Sequence, residues 1–233
     1  MDICINFFWS GNDFDYINYM CIQSHIKVGH KIIIWLYGDM PTSQYWNNLD
    51  FSNIIIVYAS DIIFDISSFM KHKDANFRTA SALWRFNFLY QYGGWYSDCD
   101  AFAIKEWPTS EWVLCSGEED ENLLSIGVLK TPPKEEMFLD MIDNIQYKWG
   151  NVKVFNTYFR KHKGNTIKPY NSTDFYPFSW KNWDYMLSDM DIPDTYSVHL
   201  YNTMVQRNMG DVKKFIDKNP NSLLGKLNTF IHE

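Results

Sequence analysis

Residues 76–100 read NFRTASALWRFNFLYQYGGWYSDCD, and this run decides the fold class. Asp98 and Asp100 flank Cys99 just beyond a short strand-like segment, Trp95–Ser97. In extended backbone, side chains at i and i+2 point the same way, so the two carboxylates share one side. Held that close, they repel each other unless a cation or a proton sits between them. A hard divalent metal is the usual cation, and such metals commonly carry substrate phosphates. Alone, the triplet is weak, because aspartate is frequent in solvated turns. Cys99 reads as a small spacer pointing away from the acids, not as a nucleophile.

The residues in front of the triplet raise its weight. Asn76–Tyr92 predicts a helix closed by Gly93-Gly94. Ala80, Leu83, Trp84, Phe86, Phe88 and Leu89 make it apolar nearly all round, which is the pattern of a buried helix. Yet Arg78, Ser81 and Arg85 fall at i, i+3 and i+7, on one stripe. A buried guanidinium needs a partner. Either Arg85 pairs with a structural carboxylate, or the stripe faces a bound anion or sugar.

Working outward, Ile3–Trp9 predicts a buried strand ending at the turn Ser10-Gly11-Asn12. Asp13–Val28 has helical spacing and stops at Gly29. Lys31–Tyr37 and Asn53–Tyr58 are apolar strands. This order suggests a layered α/β sheet. Further on, Ala101–Ile104, Trp112–Cys115, Leu123–Leu129 and Tyr196–Leu200 predict strands. Pro133–Trp149, Val152–His162 and Asp211–Lys218 predict helices. The acidic run Gly117–Asn122 reads as a solvated loop, with Glu118, Glu119 and Asp120 as alternative acceptor-side acids. Without a repeat or a linker, residues 1–233 read as a single domain: a core to about residue 165, then a C-terminal elaboration over about 166–233.

Bulk composition narrows the partners. The chain has 233 residues, 46% of them hydrophobic and 18% aromatic, enough for a large core. Its net charge of −7 argues against nucleic acid, which needs a basic footprint. An acidic protein can still bind a nucleotide diphosphate if a metal supplies the positive charge. Cys4, Cys21, Cys99 and Cys115 show no zinc-ligand spacing and imply a reducing, cytoplasmic setting. No signal peptide or membrane-length apolar run is expected, and attachment to a membrane surface stays open.

The run from Arg78 to Asp100 resembles the signature of DXD-containing sugar transferases: a helix with S-D-x-x-R, then L-Y-x-x-G-G-x-Y-x-D-x-D. These are the yeast initiating mannosyltransferases, Golgi galactosyl- and N-acetylglucosaminyltransferases and capsular polysaccharide sugar transferases, with glucosylating clostridial toxins more distant. The resemblance implies a GT-A fold, a Rossmann-like nucleotide-binding sandwich with a mixed central sheet. Phe7-Phe8-Trp9-Ser10-Gly11 resembles the family's first strand, which ends at the nucleotide base; Phe175-Tyr176-Pro177 and Val198-His199-Leu200 resemble late motifs. Two positions depart. Ala82 stands where relatives carry an aspartate that touches ribose or donor sugar, and Asn202-Thr203-Met204 stands where a tryptophan often follows the histidine.

The resemblance implies a nucleotide-sugar donor, with UDP-sugar favoured, a glycan or lipid-linked acceptor, and retention of anomeric configuration. Asp100 would ligate Mn²⁺ or Mg²⁺, and Asp98 would bind ribose or metal. Arg85 would hold sugar hydroxyls, completing the catalytic set with the two acids. Phe8, Trp9, Ser10 and Ser81 would join Arg85 and Asp98 around the donor. Oxygen ligands plus one imidazole suit Mn²⁺, and His199 is the candidate imidazole; a packed histidine at a strand end is the competing reading. Trp9 would stack on the base, or else be core. Tyr96 reads as core. Two other functions compete: a glycoside hydrolase working through paired carboxylates, and a non-catalytic sugar- or nucleotide-binding module, suggested by Ala82.

Overall fold

The computed structural model describes residues 3–59, 65–117, 120, 122–145, 151–164 and 166–233. Strand β1 (Cys4–Ser10) leads through helix α1 (Tyr16–Lys27) to β2 (Lys31–Tyr37). Short helix α2 (Gln44–Asn47) precedes β3 (Ile54–Tyr58), and α3 (Ile66–Met70) precedes α4 (Phe77–Tyr92). Then come β4 (Gly94–Ser97), β5 (Ala101–Ala103), β6 (Val128–Thr131), α5 (Met137–Asn144), α6 (Asn151–Lys163) and α7 (Ser172–Phe175). A 3₁₀ turn (Trp180–Leu187), β7 (Ser197–His199), α8 (Asn202–Met209), α9 (Val212–Lys218) and α10 (Leu223–His232) complete the order.

The isoleucine-rich runs of β2 and β3 suit a sheet buried on both faces, and they pair in parallel. The five-stranded sheet has the order β3-β2-β1-β4-β6. Its first four strands are parallel and β6 is antiparallel, so the sheet is mixed. From β1 the chain first steps outward to β2 and β3, then returns through α4 to β4 on the other side of β1. That reversal creates a switch point at the C-terminal ends of β1 and β4, where open α/β sheets hold ligands. Phe7 pairs with Ser97, so Phe8-Trp9-Ser10 and Asp98-Cys99-Asp100 leave the sheet side by side.

Helix ends follow their capping residues. Asp15 caps α1 through the Asn18 N–H, so the helix starts at Tyr16, three residues beyond the Asp13 expected to open it. Asn76 caps α4 in the same way, and the buried apolar residues of α4 sit in one core layer with Phe8, Tyr96 and Leu129. Gly93 ends α4 at φ 62, and a Cβ there would lie 2.5 Å from the Pro133 nitrogen. Only glycine tolerates both that conformation and that approach.

Three sequence expectations shift. The strand expected over Leu123–Leu129 runs Val128–Thr131, because the Leu124 N–H and carbonyl are taken by the Asn156 side chain. Trp112–Cys115 forms only isolated bridges, Val113 with Lys130 and Cys115 with Tyr170. The helix expected from Pro133 begins at Met137, after Lys134 turns through φ 63; residues 146–150 of that expectation lie outside the described residues.

The C-terminal segment packs back on α1. Leu223, Leu224 and Leu227 bury beside Ile17, Met20 and Cys21, and the Tyr16 hydroxyl meets Asn228. Strand β7 pairs antiparallel with β5, setting His199 opposite Ala101. All four cysteines are free. No helix among the described residues is long and apolar enough to cross a membrane.

Candidate active site at the carboxylate triplet

Asp98 leaves β4 with its backbone N–H on the Gly127 carbonyl, at 2.7 Å. Its Oδ1 accepts from Arg85 Nη2 at 2.6 Å and from the Tyr96 hydroxyl at 2.9 Å. Arg85 is only 5% exposed, lies 4.1 Å over the Tyr96 ring and also donates to the Ile126 carbonyl at 2.6 Å. Arg85 thus pairs with a carboxylate, and that carboxylate belongs to the triplet itself. Burial works against the Arg85 charge, but Asp98 and Tyr96 outweigh it and hold the guanidinium protonated. Its Nε finds no hydrogen-bond partner among the described residues.

Asp100 is anchored from the C-terminal segment. Its Oδ2 accepts the Asn202 backbone N–H at 3.0 Å, and its carbonyl accepts from Leu200 at 2.7 Å. His199 Nε2 lies 3.3 Å from Asp100 Oδ1. One ligand atom each from Asp98, Asp100 and His199 fall within 4.8 Å of one another. Two ligands about 2.1 Å from a small divalent cation stand at most ~4.2 Å apart, so a small side-chain adjustment closes the cluster. Each carboxylate is held by one oxygen and offers the other, the arrangement by which outer partners orient metal ligands. Burial pushes the Asp98 carboxyl up, with Asp100 adding to it and Arg85 opposing. A cation here would relieve that penalty, so the donor set fits a divalent metal.

Helix α1 fixes the backbone that carries the acids. Asn18 Nδ2 donates to the Cys99 carbonyl at 3.1 Å, and Ser24 Oγ accepts from the Ala103 N–H at 2.8 Å. His25 and His30 continue the clamp, and their contacts determine their protons. The Trp107 N–H donates to His30 Nε2 at 3.1 Å, so the His30 proton sits on Nδ1. It donates to His25 Nδ1 at 2.9 Å, leaving His25 Nε2–H for the Ala101 carbonyl at 3.2 Å. Both rings are neutral in this chain of bonds. Burial lowers both pKa values, that of His30 to about 4.

A cavity of about 690 Å³ opens over this floor. Phe8, Trp9, Ser10, Ser81, Asp98 and Asp100 line it together, whereas Arg85, expected to hold sugar hydroxyls, is buried beneath Asp98 and is not among the described lining residues. Phe8 is nevertheless mostly core, packed on Trp84 at 4.8 Å. Trp9 is half-buried, its indole N–H bonded to the Gly11 carbonyl. Ser81 Oγ is bonded to the Arg78 carbonyl. Ala82 is buried and absent from the described lining. Cys99 Sγ turns to the Phe8 carbonyl at 3.6 Å, and burial first, then the two aspartates, push its thiol up, which keeps it from acting as a nucleophile. Tyr96 is core as expected, yet its hydroxyl serves Asp98. Glu118 and Glu119 lie outside the described residues.

Residues 16–115 match the family described as a glycosyltransferase sugar-binding region containing a DXD motif. Over those residues the chain is similar to that family. No curated protein matches the sequence. Among solved structures, the PaToxG glycosyltransferase is 14% identical, with 70% of each chain covered and a TM-score of 0.51. That likeness supports the GT-A-type sandwich fold. GlyE, a glycosyltransferase of Streptococcus pneumoniae TIGR4, is 13% identical over the whole of this chain and 64% of its own, at a TM-score of 0.49.

Three residues of the candidate site owe their roles to contacts that sequence reading does not show. Asn202 takes the place where a tryptophan was expected, with its N–H on Asp100 and its side chain on the α1 cap Asp15 at 2.6 Å. Gly127 leaves open a point 2.9 Å from Asp98 Oδ2, 3.0 Å from the Tyr176 hydroxyl and 3.4 Å from His199 Nε2. Asn18 looks like an ordinary helix residue in sequence. Each acts across a long sequence separation, and no local pattern signals it.

Proposed function

We propose that this protein transfers a sugar from a UDP-linked donor to a glycan or lipid-linked acceptor, with retention of configuration and dependence on Mn²⁺. The observation that carries the reading is the convergence of Asp98, Asp100 and His199, two of which, Asp98 and Asp100, also line the cavity bordered by Trp9 and Ser81. Two carboxylates and an imidazole suit Mn²⁺ better than Mg²⁺, which prefers oxygen throughout.

Asp98, Asp100 and His199 would hold the metal, which when bound neutralises the charge of the departing diphosphate. Trp9 would stack on the base and Ser10 would border it. Arg85 fixes Asp98 from beneath, and Ser81 would border the donor sugar. Asn202 and α1 keep Asp100 in place as the leaving group departs. The hydrolase alternative needs neither nucleotide nor metal, and the Arg85 clamp on one of the two acids argues against its use as a free acid or base.

The test is release of UDP from a panel of UDP-sugars with Mn²⁺. Turnover that stops with chelator and returns with Mn²⁺ supports the reading. Chelator-resistant glycoside cleavage would favour the hydrolase, and binding without turnover the non-catalytic module.

A further inference from the structure

The nucleotide reading leaves a second cavity unused. It measures about 270 Å³ and shares Asp98, and no other described residue, with the donor cavity. Its walls come from Leu123, Leu124, Ile126, Val152, Tyr176 and Tyr201. His199 lines it too, so this space abuts the metal-ligand cluster. Gly127 keeps it in communication with Asp98: a Cβ there would stand 2.9 Å from Asp98 Oδ2 and 3.0 Å from the Tyr176 hydroxyl.

We infer that this second cavity is the acceptor subsite and that it admits one neutral sugar ring. The inference rests on the sugar-transfer reading and adds the acceptor's chemistry. Ligand pockets run roughly 300–1,000 Å³, so a space at the lower end holds about one ring. Leucine, isoleucine and tyrosine walls suit the C–H face of a sugar, while the tyrosine hydroxyls and backbone meet its edge. Asp98 and Asp120 line the cavity, and no lysine or arginine does so among the described residues. Asp98 is paired with Arg85, so the like charge that a uronic acid or phosphorylated ring would meet is that of Asp120. In the transfer, the acceptor oxygen bonds to the anomeric carbon as that carbon's bond to the diphosphate oxygen breaks. The bonding pair stays on the diphosphate, which receives the acceptor's proton.

The experiment compares Mn²⁺-dependent UDP release from the best UDP-sugar with no additive, with neutral methyl hexosides, and with a methyl glucuronide. Wild type is set against Val152→Trp. Val152 is 40% exposed on the cavity rim and belongs to no part of the donor cavity, so the bulk of tryptophan fills space without opening the core. At least one neutral hexoside should speed release several-fold over water, and the glucuronide should not. Val152→Trp should lose that acceleration at least five-fold while hydrolysis and UDP affinity stay unchanged. Leu123→Trp, from another part of the wall, should do the same if Val152→Trp folds poorly. Undiminished acceleration in both variants, preference for the glucuronide, or no acceleration by any neutral hexoside would overturn the inference. Calorimetric UDP binding by wild type reports separately on the transfer reading: its absence sinks that reading, whereas its presence without acceleration sinks this inference alone.

Discussion

Arg85 grips Asp98 by one carboxylate oxygen, at 2.6 Å, and leaves the other turned toward the space beside Gly127. The guanidinium is buried while the Asp98 side chain keeps 34% of its surface, so the pair spans core and cavity. Removing the cation leaves a carboxylate that burial already disfavours.

Arg85→Ala should therefore cost about 3 kcal/mol of stability, the low end for a broken buried pair because Asp98 is partly solvated. Arg85→Lys should recover some of this, but a single ammonium cannot span both Asp98 and the Ile126 carbonyl. Urea unfolding checks both values. A loss under about 0.5 kcal/mol for Arg85→Ala would show that the pair is not stabilising.

Gly127→Ala tests the open point between Asp98, Tyr176 and His199. The added methyl meets the far ends of side chains, so the stability cost should stay near 1 kcal/mol. Metal-dependent UDP affinity should fall at least ten-fold, about 1.4 kcal/mol, because Asp98 Oδ2 must move. Unchanged affinity by titration calorimetry would mean that this oxygen takes no part in the site.

Asn202→Asp sets a second carboxylate against Asp15, whose carboxyl burial already raises while hydrogen bonds from Asn202 and Asn18 oppose it. The variant should lose about 1–2 kcal/mol and weaken UDP binding through Asp100. Adding Asp15→Asn should restore most of the stability, at the expense of a weaker cap. A double-mutant cycle showing no coupling would contradict the contact.

The His25–His30 chain gives a pH dependence of definite sign. Burial lowers the folded pKa of His30 to about 4 from the ordinary imidazole value of about 6.5, so the unfolded chain binds the extra proton between those pH values. Stability from His30 is full above pH 6.5 and is lost as pH falls toward 4, by about 3 kcal/mol in all. His25, shifted the same way, steepens the loss. Urea midpoints at pH 7, 5.5 and 4.5 should fall more steeply for wild type than for His30→Gln. Equal slopes would rule out the neutral pair.

Legibility in the sequence followed the range of the interactions. The strand Lys31–Tyr37 and the helix closed by Gly93 were readable because isoleucine runs, caps and positive-φ glycines act over a few residues. The acids of the triplet and Arg85 stood out through spacing on one short stretch. Leu123–Leu124 misled because the Asn156 side chain, 32 residues away, claims its backbone. Helices α8 and α10 were missed because α8 is mostly polar and α10 gains its helical burial from α1. Asn202 and Gly127 matter only once β7 and the segment before β6 reach the triplet, which no window of sequence displays.

The most direct measurement is titration calorimetry of UDP into wild type and Asp100→Asn, each with Mn²⁺ and with chelator. Wild type should bind UDP with Mn²⁺ and lose at least ten-fold in affinity with chelator, while Asp100→Asn binds weakly in both. Equal UDP affinity with and without metal, or a fully metal-dependent response in Asp100→Asn, would contradict the proposed assignment of Asp98, Asp100 and His199 as a metal site.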